Sequence, residues 1–370
     1  MAIMNQRLLQ PGERIRVMVV DDSVVIRRLV TMALENDPTI EVAGTASNGA
    51  IGLQRIPQFN PDVVTLDIEM PDMDGLEMLR RIRREYPRLR VIMFSTLTER
   101  GAAKTLEALT LGADDYVTKV SNEGSLDRSM ALLREEMLPK IKQFFRWTTP
   151  TAVAVQPVAA SFSTPLVWRD TSSPQSTKVR PRVVVIGVST GGPTALGEIL
   201  PTMPADFPLP VLIVQHMPPL FTRLLAERLN STCRLQVQEA SQGDAIEPGR
   251  ILIAPGDFHM KLVSNNGKIS VSLDQSPRQN SCRPAVDVRF ASTGEVYGGA
   301  ALAVILTGMG QDGLRGTGIL KAQGANILAQ DEASSVVWGM PGAVVNAGLV
   351  DRVLPLNEVV PAIVSIAGRK

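Results

Sequence analysis

Short apolar runs alternate with amphipathic stretches along most of this 370-residue chain, and no other feature constrains its fold as strongly. In the first part, RVMVVDD leads into SVVIRRLVTMALEN, DVVTLDI into GLEMLRRIRREY, RVIMFST into KTLEALTLG, and DYVTK into SLDRSMALLREEML. Each apolar run suits a buried strand, and the helical period that follows suits a helix laid across a sheet. Strand and helix in strict turn predict a doubly wound parallel sheet, because a parallel partner strand is reached only through a crossover. The pattern stops near residue 147, where Ser, Thr, Pro and Ala crowd a stretch with no sustained period. It resumes as VVVIG, VLIVQH, RILIAPG, ALAVILTG and ANILAQ. The expected architecture is α/β throughout: one parallel-sheet domain over residues 14–135, a flexible linker over 147–179, and a second parallel-sheet domain over 180–370.

Charge and composition narrow the function classes. The formal net charge is +1, with acids and bases interspersed and no basic block, so nucleic acid is not an expected partner. No apolar run approaches the ~18 to 20 residues of a membrane span, and the N-terminus lacks the pattern of a signal peptide. A cytoplasmic protein with no membrane insertion is expected. Cys233 and Cys282 lie far apart without metal-ligand spacing, which favours reduced structural thiols over a catalytic Cys282.

In an open parallel sheet, ligands bind outside the carboxyl ends of the strands. The residues ending the apolar runs of the first domain are Asp21 and Asp22, then Asp67, then Ser95 and Thr96, and finally Lys119. Carboxylates gathered this way repel one another unless they share a hard cation, and Mg²⁺ with oxygen ligands suits such a cluster. With Lys119 and Ser95 beside it, the cluster forms a site for a phosphoryl group, whose transfer needs mainly positioning and charge neutralisation. Helix capping by Asp-Asp-Ser explains Asp21 and Asp22 alone, but not Asp67 and Lys119 in the same layer.

The segments VMVVDDS, VTLDIEMPDMDGLEML, FSTLTE and GADDYVTK together resemble the receiver domain of two-component response regulators. The resemblance implies that Asp67 accepts a phosphoryl group from a histidine kinase. It further implies that Asp22 binds Mg²⁺ directly, Asp21 directly or through water, and the Glu69 carbonyl as well, with Ser95 and Tyr116 as a switch pair. Val120 departs from the family, which usually places proline after the lysine and a cis peptide before it.

In the second domain the turn GVSTGGPTAL follows a strand and opens a helix. A dinucleotide turn would read G-x-G-x-x-G with an acid ending the next strand, and a P-loop would carry Gly-Lys-Ser/Thr; neither is present. Gly187 to Gly191 does satisfy G-x-S-x-G, the tight turn that presents a serine hydroxyl, here Ser189. A serine needs a base, and the chain holds only His216 and His259. His216 ends the strand VLIVQ at the same sheet edge and is the stronger candidate. The orienting acid is sought among Asp257, Asp312, Asp331 and Glu332, with the glycines around Asp312 modestly in its favour. A Ser, His, Asp chain order separates this domain from α/β-hydrolases, which run Ser, Asp, His.

IGVSTGGPTAL, IVQHMPPLFTRLLAERLN, APGDFHM, CRPAVDVRF and LTGMGQDG resemble the catalytic domain of CheB-type chemotaxis protein-glutamate methylesterases. The resemblance implies a serine hydrolase that demethylates glutamate methyl esters on methyl-accepting chemotaxis receptors and also deamidates receptor glutamines. It assigns Ser189 as nucleophile, His216 as base and Asp312 as orienting acid, with no cofactor for the hydrolysis. Main-chain amides around Thr190 and Met309 are candidate oxyanion donors. Phosphorylation of Asp67 is expected to release or reorient the receiver, and a monomer is expected. A regulator with a DNA-binding output would need a basic recognition helix, and Lys and Arg are only scattered through the second domain.

Overall fold

The computed structural model describes residues 6–119, 126–148 and 179–368. The chain opens with β1 (Arg7–Leu9) and β2 (Ile15–Val20), then α1 (Val24–Glu35), β3 (Ile40–Ala46), α2 (Gly49–Phe59) and β4 (Val63–Asp67). The first domain continues with α3 (Gly75–Glu85), β5 (Arg90–Ser95), α4 (Glu99–Thr110), β6 (Asp115–Thr118), α5 (Leu126–Lys142) and β7 (Phe145–Trp147). Its five-stranded sheet has the order β3-β2-β4-β5-β6, parallel throughout. Strands β2, β4 and β5 are apolar on both faces because helices cover both, which is why they read as continuous runs rather than alternating ones.

The first domain is wider than the expected 14–135. Helix α5 runs on to Lys142, and β7 pairs in parallel with β1, so residues on either side of the expected bounds close on each other. Trp147 Nε1 donates to the Glu13 carbonyl at 3.2 Å, and Leu9, Phe144 and Phe145 are buried in the apolar cluster beneath α1 and α5. The expected linker therefore begins later than residue 147. Residues 149–178 of it, and the peptide bond between Lys119 and Val120, lie outside the described residues.

The second domain begins with β8 (Val183–Val188), α6 (Gly192–Ile199), β9 (Val211–Gln215), α7 (Phe221–Thr232), β10 (Gln236–Glu239) and β11 (Arg250–Ile253). A hairpin of β12 (His259–Asn265) and β13 (Lys268–Asp274) follows. The chain then runs through α8 (Val286–Tyr297), β14 (Ala301–Ile305), α9 (Leu314–Ala322), β15 (Asn326–Gln330), α10 (Met340–Asn346), β16 (Arg352–Leu354) and α11 (Leu356–Ala367). The main sheet has seven parallel strands in the order β10-β11-β9-β8-β14-β15-β16. From β8 the chain first builds outward on one side, and after β14 on the other, so the order reverses between these two neighbours.

The two domains touch through α4 of the first and α6 and α7 of the second. Ala102, Leu106 and Leu109 belong to the same buried apolar cluster as Leu196, Leu225 and Leu229. Thr194 Oγ1 donates to the Leu109 carbonyl at 2.9 Å, and Arg223 pairs with Glu99 at 3.0 Å on the rim. No helix among the described residues is long and apolar enough to cross a membrane.

Candidate active site

The reversal between β8 and β14 places a crevice at their carboxyl ends, where open α/β sheets hold ligands. Ser189 directly follows β8, His216 directly follows β9, and Asp312 lies in the loop from β14 to α9. Three adjacent strands thus deliver the three candidates to one edge. Ser189 is pinned by its own main chain: its amide donates to the Thr307 carbonyl at 3.0 Å, and its carbonyl accepts from Gly192 N at 2.8 Å and Gln215 Nε2 at 2.9 Å. The turn then needs Gly191, whose φ of 78° is left-handed and whose missing side chain leaves room for Val336. Gly308 is required for another reason, since a Cβ there would stand 2.8 Å from Ser189 Cβ.

Asp312 is almost fully buried and its two carboxylate oxygens are saturated with donors. Oδ2 faces His216 Nε2 at 2.8 Å and accepts from Val286 N at 2.6 Å. Oδ1 accepts from Asn280 Nδ2 at 2.8 Å, Asp287 N at 3.0 Å and Gly313 N at 2.9 Å. Two of these amides open α8, so the helix N-terminus adds its favourable field to the carboxylate. Burial pushes the Asp312 carboxyl up, but His216 and these amides outweigh it and hold the group below its ordinary range. For His216, burial opposes the cation, yet hydrogen bonds to Asp312 and Cys282 prevail and push it up to about 10. With Nε2 committed to Asp312, the nitrogen left to serve a substrate-side proton is Nδ1, which lies 3.5 Å from Cys282 Sγ. Ser189 and His216 line the same pocket, and no hydrogen bond joins their side chains among the described residues.

The other sequence candidates stand elsewhere. His259 is fully buried at the start of β12, where its ring accepts from Ala285 N and faces the Pro277 carbonyl. Asp257 pairs with Arg283 at 2.6 Å, Asp331 caps Ser334, and Glu332 is paired at the surface with Arg146 at 4.0 Å. Thr190 and Met309 both line the pocket, and their main-chain amides donate to no protein acceptor among the described residues. Sequence reasoning missed Asn280, Gln215 and the contact of Cys282 with His216. The loop Gln279–Cys282 that carries two of these is closed by mutual main-chain bonds between Gln279 and Cys282, with Asn280 and Ser281 both left-handed.

The edge of the first sheet gathers the other predicted residues. Asp21, Asp22 and Asp67 each offer a carboxylate oxygen within 4.8 Å of the others. Lys119 Nζ reaches both Asp21 Oδ2 and Asp67 Oδ2 at 2.9 Å. Asp67 is pushed up to about 6, chiefly by burial and further by Asp21, against the pull of Lys119. Burial pulls the Lys119 ammonium down, but Asp67 and Asp21 raise it above its ordinary value. Glu69 lines this pocket while its side chain turns outward to Lys104 and Arg100. Ser95 is buried, its hydroxyl held between Thr105 Oγ1 at 2.6 Å and the Gly101 carbonyl at 3.2 Å. The crowded acids, with Asp21 Oδ2 buried and facing no hydrogen-bond donor beyond the Lys119 ion pair, have the donor set that Mg²⁺ prefers.

The two sites meet in a way that the sequence does not announce. Tyr116 stacks on Phe221, the first residue of α7, with ring centroids 4.9 Å apart and planes within 8°. Thr190 Oγ1, next to Ser189, donates to Asp115 Oδ2 at 2.9 Å. Leu109, Asp115, Tyr116 and Lys140 of the first domain wall the pocket that holds Ser189, His216 and Asp312. That pocket encloses about 250 Å³, room for a side chain but not for a helix about 10 Å across.

Fold and site together define a response regulator whose output domain is built as a serine hydrolase. The first domain matches the family model "Response regulator receiver domain" over residues 17–131, and the second matches "CheB methylesterase" over residues 184–363. A protein-glutamate methylesterase/protein-glutamine glutaminase of Trichodesmium erythraeum is 49% identical over 356 residues, spanning 96% of this chain and 99% of that protein. One from a Nocardioides species is 49% identical over 362 residues, 97% of each chain. The crystal structure of the Thermotoga maritima CheB methylesterase catalytic domain is 46% identical, with a TM-score of 0.50, and covers 51% of this chain and all of that one. The chain belongs to the CheB methylesterase family, with its receiver domain in place.

Proposed function

We infer that this chain is a phosphorylation-regulated protein-glutamate methylesterase of chemotaxis, which also acts as a protein-glutamine glutaminase. The observation that carries the reading is the convergence of Ser189, His216 and Asp312 on one crevice with His216 held by Asp312 at 2.8 Å. In this scheme His216 Nδ1 takes the Ser189 proton as Oγ attacks a γ-glutamyl methyl ester. Asp312 fixes the ring through Nε2 and stabilises the imidazolium. The main-chain amides of Thr190 and Met309, which donate to no protein acceptor among the described residues, hold the oxyanion in this scheme. His216 then returns the proton to the leaving methoxide, methanol departs, and water hydrolyses the acyl-enzyme to glutamate. A glutamine side chain follows the same course with ammonia as the leaving group. The substrates are methyl-accepting chemotaxis receptors, reached by a cytoplasmic monomer. Replacing Ser189 with Ala and measuring methanol release from methylated receptor tests the reading; release at the wild-type rate would overturn it.

Control falls to the first domain. Asp67 accepts a phosphoryl group from a chemotaxis histidine kinase, with Lys119 bound to the new oxygens. Asp21, Asp22, Asp67 and the Glu69 carbonyl would hold Mg²⁺, which when bound offsets the charge of the phosphoryl oxygens. Ser95 must then leave Thr105 and Gly101 to meet the phosphoryl group, opening space toward which Tyr116 can turn. Tyr116 turning inward gives up its stack on Phe221, and with it a wall of the hydrolase pocket. Demethylation measured with and without acetyl phosphate tests this coupling: a rise that disappears in Asp67→Ala supports it.

A further inference from the structure

Cys282 takes or gives no proton in the hydrolysis described above, yet its sulfur stands 3.5 Å from the one ring nitrogen of His216 that the reaction uses. We propose that His216 Nδ1 and Cys282 Sγ form a reversible, inhibitory Zn²⁺ site in the hydrolase pocket. The inference rests on the reading of His216 as the general base.

The separation of the two atoms fits a shared ion. A tetrahedral Zn²⁺ with a Zn–N bond of about 2.0 Å and a Zn–S bond of about 2.3 Å separates its nitrogen and sulfur ligands by about 3.5 Å. The pair therefore reaches a common metal with little movement. The loop supporting Cys282 is short and doubly bonded to itself, and its left-handed residues Asn280 and Ser281 fix the direction in which the thiol is presented. Asp312 completes the arrangement from the outside. It accepts from the opposite ring nitrogen, which is the outer partner that zinc-binding imidazoles characteristically have, and its remaining lone pairs are spent on four other donors. It orients the ligand rather than joining the metal. Water in the pocket supplies the remaining positions, and a thiolate with an imidazole suits Zn²⁺ better than Mg²⁺.

The charges balance simply. Cys282 gives up its thiol proton to solvent on binding, and any proton on His216 Nδ1 leaves the same way, so the site tightens as pH rises. The lone pair that would accept the Ser189 proton is then tied to the metal, and ester hydrolysis stops until the ion departs. The acidic cluster around Asp67 offers only oxygens, so excess Mg²⁺ keeps that pocket occupied while zinc is titrated.

The test uses the full-length protein in excess Mg²⁺, with Cys233→Ser as background to remove the other thiol. Co²⁺ titration is expected to give the near-ultraviolet thiolate-to-cobalt absorption band, and added Zn²⁺ to abolish it by displacement. In the further variant Cys282→Ala the band is expected to vanish, and the zinc concentration that halves methanol release to rise by at least about tenfold. A cobalt spectrum without the thiolate band, or equal zinc sensitivity with and without Cys282, overturns the proposal. Because the absorption needs no turnover, a protein that binds cobalt through Cys282 but releases no methanol when metal-free at that site and treated with acetyl phosphate would refute the methylesterase reading and leave the metal site standing.

Discussion

The two sheets end in the same kind of edge, but they treat their carboxylates in opposite ways. At the first, Asp21, Asp22 and Asp67 crowd one another, with a single ammonium shared by Asp21 and Asp67, and Asp67 is driven up to about 6. At the second, Asp312 is just as buried but surrounded by donors, and it is held below its ordinary range. One edge is left short of positive charge and is ready to receive an ion and a phosphoryl group. The other is complete before any ligand arrives, as expected of a group that must keep an imidazole in place without reorganising. A parallel sheet decides where chemistry happens; the count of donors around each acid decides which chemistry.

The comparison breaks most visibly at Asp312. Asp312→Asn keeps the shape but loses the charge and the correct ring tautomer, and kcat for demethylation is expected to fall by about 10⁴-fold with little change in KM. Steady-state methanol release checks it, and a loss below tenfold would mean that the preorganised edge contributes little. Asp67 gives the contrasting result. Its folded-state value lies above the ordinary 3.8, so its ionisation costs the folded domain stability as pH rises from about 4 through 6. Asp67→Asn should therefore abolish phosphorylation yet stabilise the protein by roughly 1–3 kcal/mol at neutral pH without Mg²⁺. Calorimetry is the check, and a lower Tm would contradict the crowding argument.

The contact between the edges carries a smaller effect. An aromatic pair adds about 0.5–1.5 kcal/mol, so Phe221→Leu should raise methanol release from the unphosphorylated protein by roughly twofold to tenfold. Unchanged basal activity would separate Tyr116 from control of the pocket. The smallest effect concerns pH. Cys282 helps raise His216, and in the proposed reaction the ring must lose its proton to act as base, so activity is expected to climb as pH rises. Cys282→Ala is expected to move the acidic limb of the pH–rate profile toward lower pH, by less than the change that removing Asp312 would bring.

Much of this was legible in the sequence because strand ends are. Apolar runs terminating in Asp21, Asp67, Lys119, Ser189 and His216 mark the carboxyl edges directly; the structure brings Asp67 and Lys119 to one crevice, with Asp21 against Lys119, and Ser189 and His216 to another. Strand β3 was harder to see, since IEVAGTA is neither continuously apolar nor cleanly alternating. The β12–β13 hairpin did leave a signal: Asn266-Gly267, both left-handed, form the two-residue turn that such hairpins prefer. The contact of Cys282 with His216 depends on how one short loop folds, and the stack of Tyr116 on Phe221 on how two domains dock. Neither follows from any local period. The pairing of β1 with β7 escaped for the same reason, because it joins segments more than a hundred residues apart.

The apolar seam shared by Leu106 and Leu109 of α4 with Leu225 and Leu229 of α7 also has a thermal consequence. Attraction between apolar surfaces weakens on cooling, so the covering domain holds less firmly at low temperature. A cold cell slows every chemical step, but it also loosens the cover over Ser189. Resting demethylation should therefore decline less steeply with falling temperature than demethylation by the phosphorylated enzyme, a partial thermal compensation that comes from packing alone.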